Sequence, residues 1–192
     1  MLSTLFGAQF RRFTFGIGKA LSRSGVSPNT VTVLGLLLNA LVAVVLASGS
    51  FLVGGFLVLL AGMFDMLDGA VARAGGKVSV FGGFLDSTLD RYSEAVLFLG
   101  LLVYFTRASD SVAVVLIYIT MVGSIMTSYA RARAEASGLK NDSGLFQRTE
   151  RVVLLGLCLI FQAPLLALWT LSIGTNLTAA YRVYAVYKAA HV

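Results

Sequence analysis

Residues 28–73 read PNTVTVLGLLLNALVAVVLASGSFLVGGFLVLLAGMFDMLDGAVAR: two long apolar runs joined by Ser48-Gly49-Ser50. The first runs from Val31 to about Ala47 and the second from Phe51 to about Arg73. Each is near the roughly 20 apolar residues that a helix needs to cross a bilayer. The second run then ends in carboxylates, Asp65 and Asp68. The rest of the chain has the same character. Of 192 residues, 57% are apolar and 12% charged, with a mean hydropathy of +0.85. An ordinary soluble domain carries about 25% charged residues, and a small globule has proportionally more surface to keep wet. A soluble fold is excluded. The length allows about five to seven spans and no separate soluble domain, so residues 1–192 read as a single membrane-embedded domain. The single Cys158 excludes an internal disulfide and a thiolate metal site. One histidine, His191, argues against a His-based triad or a zinc centre.

Apolar runs between breakers predict an all-α integral membrane protein with six transmembrane helices over residues 31–188. After the first two come about Gly82 to Phe105, Ser111 to Arg133, about Arg148 to Gln162, and about Leu165 to Lys188. Thr175, Asn176 and Thr178 interrupt the sixth, which makes it the weakest. Residues 1–30 read as an N-terminal amphipathic interfacial helix rather than a cleaved signal. Leu5, Phe6, Phe10, Phe13 and Ile17 recur at helical spacing beside Arg11, Arg12 and Lys19. Ser27-Pro28-Asn29 reads as a helix start, with Ser27 as cap.

With six spans, the basic residues fall on one side, Arg107 excepted. Arg11, Arg12, Lys19 and Arg23 precede the first span; Arg73, Lys77 and Arg91 flank the second connection. Arg131, Arg133, Lys140, Arg148 and Arg151 flank the fourth, and Arg182 and Lys188 close the chain. The positive-inside rule assigns that side, and both termini, to the cytoplasm, so a multi-pass protein of the cell membrane is expected. The formal charge of +6 is first a topological signal and can also hold the chain to anionic membrane lipids. It is no nucleic-acid footprint, since no basic module lies outside the membrane.

Asp65 and Asp68 are spaced i, i+3, and Asp86 and Asp90 are spaced i, i+4. Each pair is therefore expected to project from one face of its helix. The second span runs toward the cytoplasm and the third returns, so both pairs can meet near that surface. An acid inside a span costs roughly 2.5–3.5 kcal/mol on insertion scales, and four together repel one another. Arg73 and Arg91 are too few to neutralise them. Hard divalent cations can, and Mg2+, with Mn2+ as the alternative, suits an all-carboxylate site. Gly69, Gly82 and Gly83 lie beside the acids, where a ligand can approach the backbone, and Arg73 is placed one turn on to face phosphate. Carboxylates for metals, small residues and an arginine together describe a two-cation phosphoryl-transfer site.

The run Asp65-Met-Leu-Asp68-Gly69-Ala-Val-Ala72-Arg73, then Gly82, Asp86 and Asp90 at set spacing, resembles in full the signature of the CDP-alcohol phosphotransferases. The resemblance implies six transmembrane helices, a homodimer and a polar cavity facing the cytoplasm. It implies that Asp65, Asp68 and Asp86, with Asp90 as a further ligand, hold two metal ions, and that Asp90 is the catalytic base. Asn29, Asp68, Gly69, Ala72, Arg73 and Gly82 would hold the CDP part of the donor. The implied reaction is attack of an alcohol on a CDP-linked lipid, CDP-diacylglycerol, with release of CMP.

The next densest polar region is Ser128 to Glu135 and Gln147 to Arg151. Arg148 and Arg151 share a face at i, i+3, whereas Arg131 and Arg133 lie about 200° apart, so only one of those two can point into a given pocket. Simple membrane anchors are the plain alternative. Arginines at helix ends, however, suit a forked grip on phosphate, which favours an acceptor that carries phosphate itself. The two runs also resemble the phosphatidylinositol-phosphate synthases of the family. That similarity implies that Arg131, Arg133, Arg148, Arg151 and Arg182 receive inositol 1-phosphate, with Arg131 favoured over Arg133. Glycerol 3-phosphate is the alternative acceptor. Two other classes fit the sequence less well. A transporter would place acids near mid-bilayer in paired repeats, and a non-catalytic lipid-binding protein has no use for a complete metal signature.

Overall fold

The computed structural model describes residues 16–139, 144 and 146–191. The expected amphipathic positions Leu5, Phe6, Phe10, Arg11, Arg12 and Phe13, and also Lys140, lie outside the described residues. A short helix, α1, covers residues 16–23. It is followed by α2 (Pro28–Ala47), α3 (Phe51–Asp65), α4 (Leu67–Ala74), α5 (Val80–Arg107), α6 (Ser111–Ala136), α7 (Arg148–Ile160) and α8 (Pro164–Ala190). The described residues are thus all-helical.

Local chemistry sets the helix starts. Ser27 accepts from Thr30 N at 3.1 Å, with Pro28 opening α2. Ser79 accepts from Gly82 N at 3.0 Å at the head of α5, and Asp110 from Ala113 N at 2.9 Å at the head of α6. At α7 Glu150 reaches back to Gln147 N at 2.7 Å. Such caps satisfy backbone donors that have no partner within their helix.

Three segments are long and apolar enough to cross a membrane: Pro28–Ala47, Phe51–Ala74 and Ser111–Ala136. The helices expected third and sixth are longer, at 28 and 27 residues, but are not among these three. That expected fifth has 13 residues, about 20 Å at 1.5 Å per residue. The polar residues that interrupt α8 do not break it. Thr175 and Thr178 each donate to the carbonyl four residues back, and Asn176 donates to Ser172 O and across to Ile119 O.

The second expected span departs most from expectation. It breaks at Met66, whose N–H bonds Met63 O in a tight i to i+3 turn at 3.3 Å. Asp65 closes α3 while Asp68 stands in the first turn of α4, within electrostatic reach of Asp65.

Helices α2 and α5, α6 and α8, and α3 and α7 form the most extensive pairs. Close approach rests on small residues, as in membrane bundles generally. At Gly55 an added Cβ would come within 2.7 Å of Gly156 O, and at Gly100 within 2.3 Å of Ala43 O. Around these crossings Leu46, Val58, Leu101, Leu159, Leu168 and Leu171 are fully buried. The turns at 48–50, 108–110 and 161–163 lie at one end, where Gly49, Tyr104 and Gln162 line a common cavity. The acids lie toward the other end. Helix α1 packs there on α4, with Gly18 against Ala70.

Candidate active site

Three helices deliver the carboxylates. Asp68, 8% exposed, is fixed on both oxygens: Gly69 N donates to Oδ1 at 2.5 Å and Thr32 Oγ1, from α2, to Oδ2 at 2.8 Å. The Met66 break allows Asp65 to turn elsewhere. Its Oδ1 lies against Gly35, where a Cβ would stand only 2.6 Å away, and its Oδ2 accepts from Arg148 Nη2 at 2.5 Å. Asp90 Oδ1 meets the other nitrogen of that fork, Arg148 Nη1, at 2.9 Å, with Arg91 Nη1 3.6 Å from Oδ2. Asp86, one turn before Asp90, lies within electrostatic reach of both Asp90 and Asp68. One arginine from α7 therefore bridges a carboxylate of α3 and one of α5.

Beside Asp68 and Asp86 opens a groove of about 280 Å3 between the start of α2, α4 and the start of α5. Asn29, Thr32, Asp68, Gly69, Ala72, Arg73, Lys77, Gly82 and Asp86 line it. All the residues expected to hold the CDP group are thus neighbours on one wall system. Arg73 folds over Gly69, its Nη1 3.1 Å from where a Cβ would be. Gly83, also flagged by its spacing, lines the same groove.

The donor set fits hard divalent cations. Asp65, Asp68, Asp86 and Asp90 offer only oxygen, the preference of Mg2+ and Mn2+. A guanidinium already rests between two of them, so the spot takes positive charge. Among the described residues no group of three acids closes around a single point, with Arg148 between Asp65 and Asp90.

The basic residues divide. Arg131 and Arg133 are exposed on the last turns of α6, and Arg131 Nε donates to Glu135 at 2.8 Å. Arg182 on α8 is 3% exposed and donates to Thr127 O at 2.6 Å. Arg148 and Arg151 hydrogen-bond to different carboxylates. Arg148 turns to Asp65 and Asp90, whereas Arg151 is buried in a two-point ion pair with Glu94, at 2.7 and 2.9 Å. Sequence reasoning missed Glu94 and Thr32. Glu94 continues the spacing of Asp86 and Asp90 by one more turn, a signal that could have found it. Thr32 carries no such mark, because its role depends on α2 packing beside α4.

Comparison with known proteins gives consistent matches. A family model described as CDP-alcohol phosphatidyltransferase matches residues 25–183. The phosphatidylinositol phosphate synthase of Mycobacteroides abscessus is 41% identical over 187 residues, covering 92% of this chain and 84% of that protein. The crystal structure of the Mycobacterium tuberculosis phosphatidylinositol phosphate synthase with CDP-DAG bound superposes with a TM-score of 0.85 at 34% identity. It covers 92% of this chain and 94% of that one. The same synthase in complex with manganese and citrate gives a TM-score of 0.84 at 34% identity, over 91% and 88% of the two chains.

Proposed function

The chain belongs to the CDP-alcohol phosphatidyltransferase family, and from that premise we propose that it transfers the phosphatidyl group of CDP-diacylglycerol to the hydroxyl of inositol 1-phosphate. The products are phosphatidylinositol phosphate and CMP. The observation that carries this reading is the juxtaposition of the groove with the acids: Asp68 and Asp86 belong to both, and Arg148 joins the acids to the arginine-bearing side. The named relatives and the synthase structure with CDP-DAG bound support the substrate classes.

In this mechanism the cytidine and its ribose lie against Asn29, Gly69, Ala72 and Gly82, and Arg73 faces the pyrophosphate. Asp65, Asp68, Asp86 and Asp90 would hold two divalent cations, Mg2+ in the first instance. Such ions neutralise charge on a transferring phosphoryl group and its leaving oxygen. Asp90 takes the proton of the attacking hydroxyl, a role open to a carboxylate held within hydrogen-bond reach. Arg148, already on Asp65 and Asp90, relieves the repulsion between them. Arg131, Arg148, Arg151 and Arg182 face the acceptor's phosphate, and Arg133, on the other side of its helix from Arg131, stays at the rim. Six spans, an active site and termini facing the cytoplasm, and a homodimer complete the proposal. The test is mass spectrometry of the lipid product made from CDP-diacylglycerol by the purified protein. Phosphatidylinositol phosphate is expected; phosphatidylglycerol phosphate as the preferred product would move the acceptor to glycerol 3-phosphate.

A further inference from the structure

Glu94 is a buried carboxylate near the site that the proposed reaction leaves without a part. It follows Asp90 by one turn of α5 and is 9% exposed. Its oxygens receive Arg151 Nε at 2.7 Å and Nη2 at 2.9 Å, and Arg151 Nη1 donates to Phe146 O at 3.0 Å. A guanidinium has five N–H groups in a rigid plane. Three are engaged here and two remain, one on each terminal nitrogen. Forked pairing of this kind fixes orientation as well as contributing energy.

The tie reaches further through Phe146. The Phe146 ring packs on Gly174 of α8, where any Cβ would meet it at 2.5 Å. Gly144, two residues earlier, lies against Thr178 and close to Arg182 Nε. The link from Glu94 through Arg151 to Phe146 O therefore holds Phe146 onto α8, about two turns before Arg182. Stability alone does not account for the pair. Buried ion pairs replaced by well-packed apolar groups often leave a fold as stable or more so.

The geometry points to Glu94 as a positioning residue for the acceptor: it fixes the Nε edge of Arg151 and, through Phe146, the stretch of α8 that carries Arg182, so that both arginines meet the acceptor's phosphate in one orientation. This rests on the acceptor pocket proposed above. A negative charge thus serves an anion site by aiming its cation.

The test compares Glu94→Asp, Glu94→Gln, Arg151→Gln and the double variant Glu94→Gln/Arg151→Gln in detergent with Mg2+. CDP-diacylglycerol and inositol 1-phosphate are varied separately, inositol 1-phosphate binding is followed by calorimetry, and thermal unfolding is measured for each variant. Glu94→Asp keeps the charge but is one methylene too short to hold both nitrogens. It is expected to raise the acceptor KM roughly 10- to 100-fold, as misplacement of a binding group by about 1 Å does, with the donor KM and the pH profile unchanged. Glu94→Gln should shift the same way, and the double variant should be no worse than Arg151→Gln alone. If Arg151→Gln raises the acceptor KM while both Glu94 variants leave it unchanged, the role of Glu94 is overturned and the pocket stands. If Arg151→Gln itself leaves the acceptor KM unchanged, the pocket reading fails and this inference with it. Equal loss of donor and acceptor affinity with a lowered unfolding midpoint in Glu94→Asp would make Glu94 a folding residue instead. Glu94→Asp decides the matter if Glu94→Gln does not fold.

Discussion

Asp68 and Asp90 are the same residue type in one cluster, yet their surroundings separate them. Asp68 has both oxygens tied, to Gly69 N and Thr32 Oγ1, and lines the groove. Asp90 is met from one side by Arg148 and loosely by Arg91. Asp90→Asn is therefore expected to abolish turnover while leaving CDP-lipid binding largely intact, because an amide cannot take the proton. Asp68→Asn should weaken both metal and donor binding, read by calorimetry with Mg2+ or Mn2+ and with CDP-diacylglycerol. Near-normal turnover in Asp90→Asn would remove the base assignment. On the acceptor side, losing one charge-assisted hydrogen bond costs roughly 1.5–3 kcal/mol. Arg182→Gln should then raise the acceptor KM by about ten- to more than a hundredfold, with little change in the donor KM. The exposed Arg131 should show an effect that fades at high salt; the buried Arg182 should hold its effect better.

At the scale of elements, the bundle depends on how closely its helices approach. Gly55 and Gly156 meet backbone to backbone where α3 crosses α7, and that crossing sets Arg148 opposite Asp65. Gly156→Leu should destabilise the protein by roughly 1–3 kcal/mol, the usual cost of overpacking, and weaken metal binding as the carboxylate of α3 moves away from those of α5. Thermal unfolding in detergent with and without Mg2+ checks both. An unchanged midpoint would mean that the crossing tolerates side chains. Much of this level was legible in the sequence: the apolar runs, the Ser27-Pro28 start and the all-helical, membrane-type fold follow from hydropathy and capping chemistry. The break at Met66 was not, because Met66 and Leu67 are as apolar as the helix before them and carry no Gly or Pro. The contacts of Arg148 with Asp65, 83 residues away, and of Arg151 with Glu94 were hidden for a different reason. Spacing along one helix reports which residues share a face, but which face meets which helix is decided by packing.

For the whole molecule, the groove, the acids and the arginines lie toward one end of the helices, and the turns at 48–50, 108–110 and 161–163 lie at the other. That polarity carries the topology proposal. In a Cys158→Ser background, Ser109→Cys should react with an impermeant maleimide added outside intact cells, and Ser137→Cys only after the membrane is opened. The reverse pattern would invert the orientation. Acceptor choice and metal dependence are read together from CMP release from CDP-diacylglycerol by the purified protein. Free inositol, inositol 1-phosphate and glycerol 3-phosphate are each supplied alone, with Mg2+ and then with chelator. Phosphatidyl transfer to inositol 1-phosphate predicts rapid release with that acceptor and Mg2+, slow release with glycerol 3-phosphate, and none with free inositol or with chelator. Efficient use of free inositol, or release that persists without a divalent cation, would contradict it.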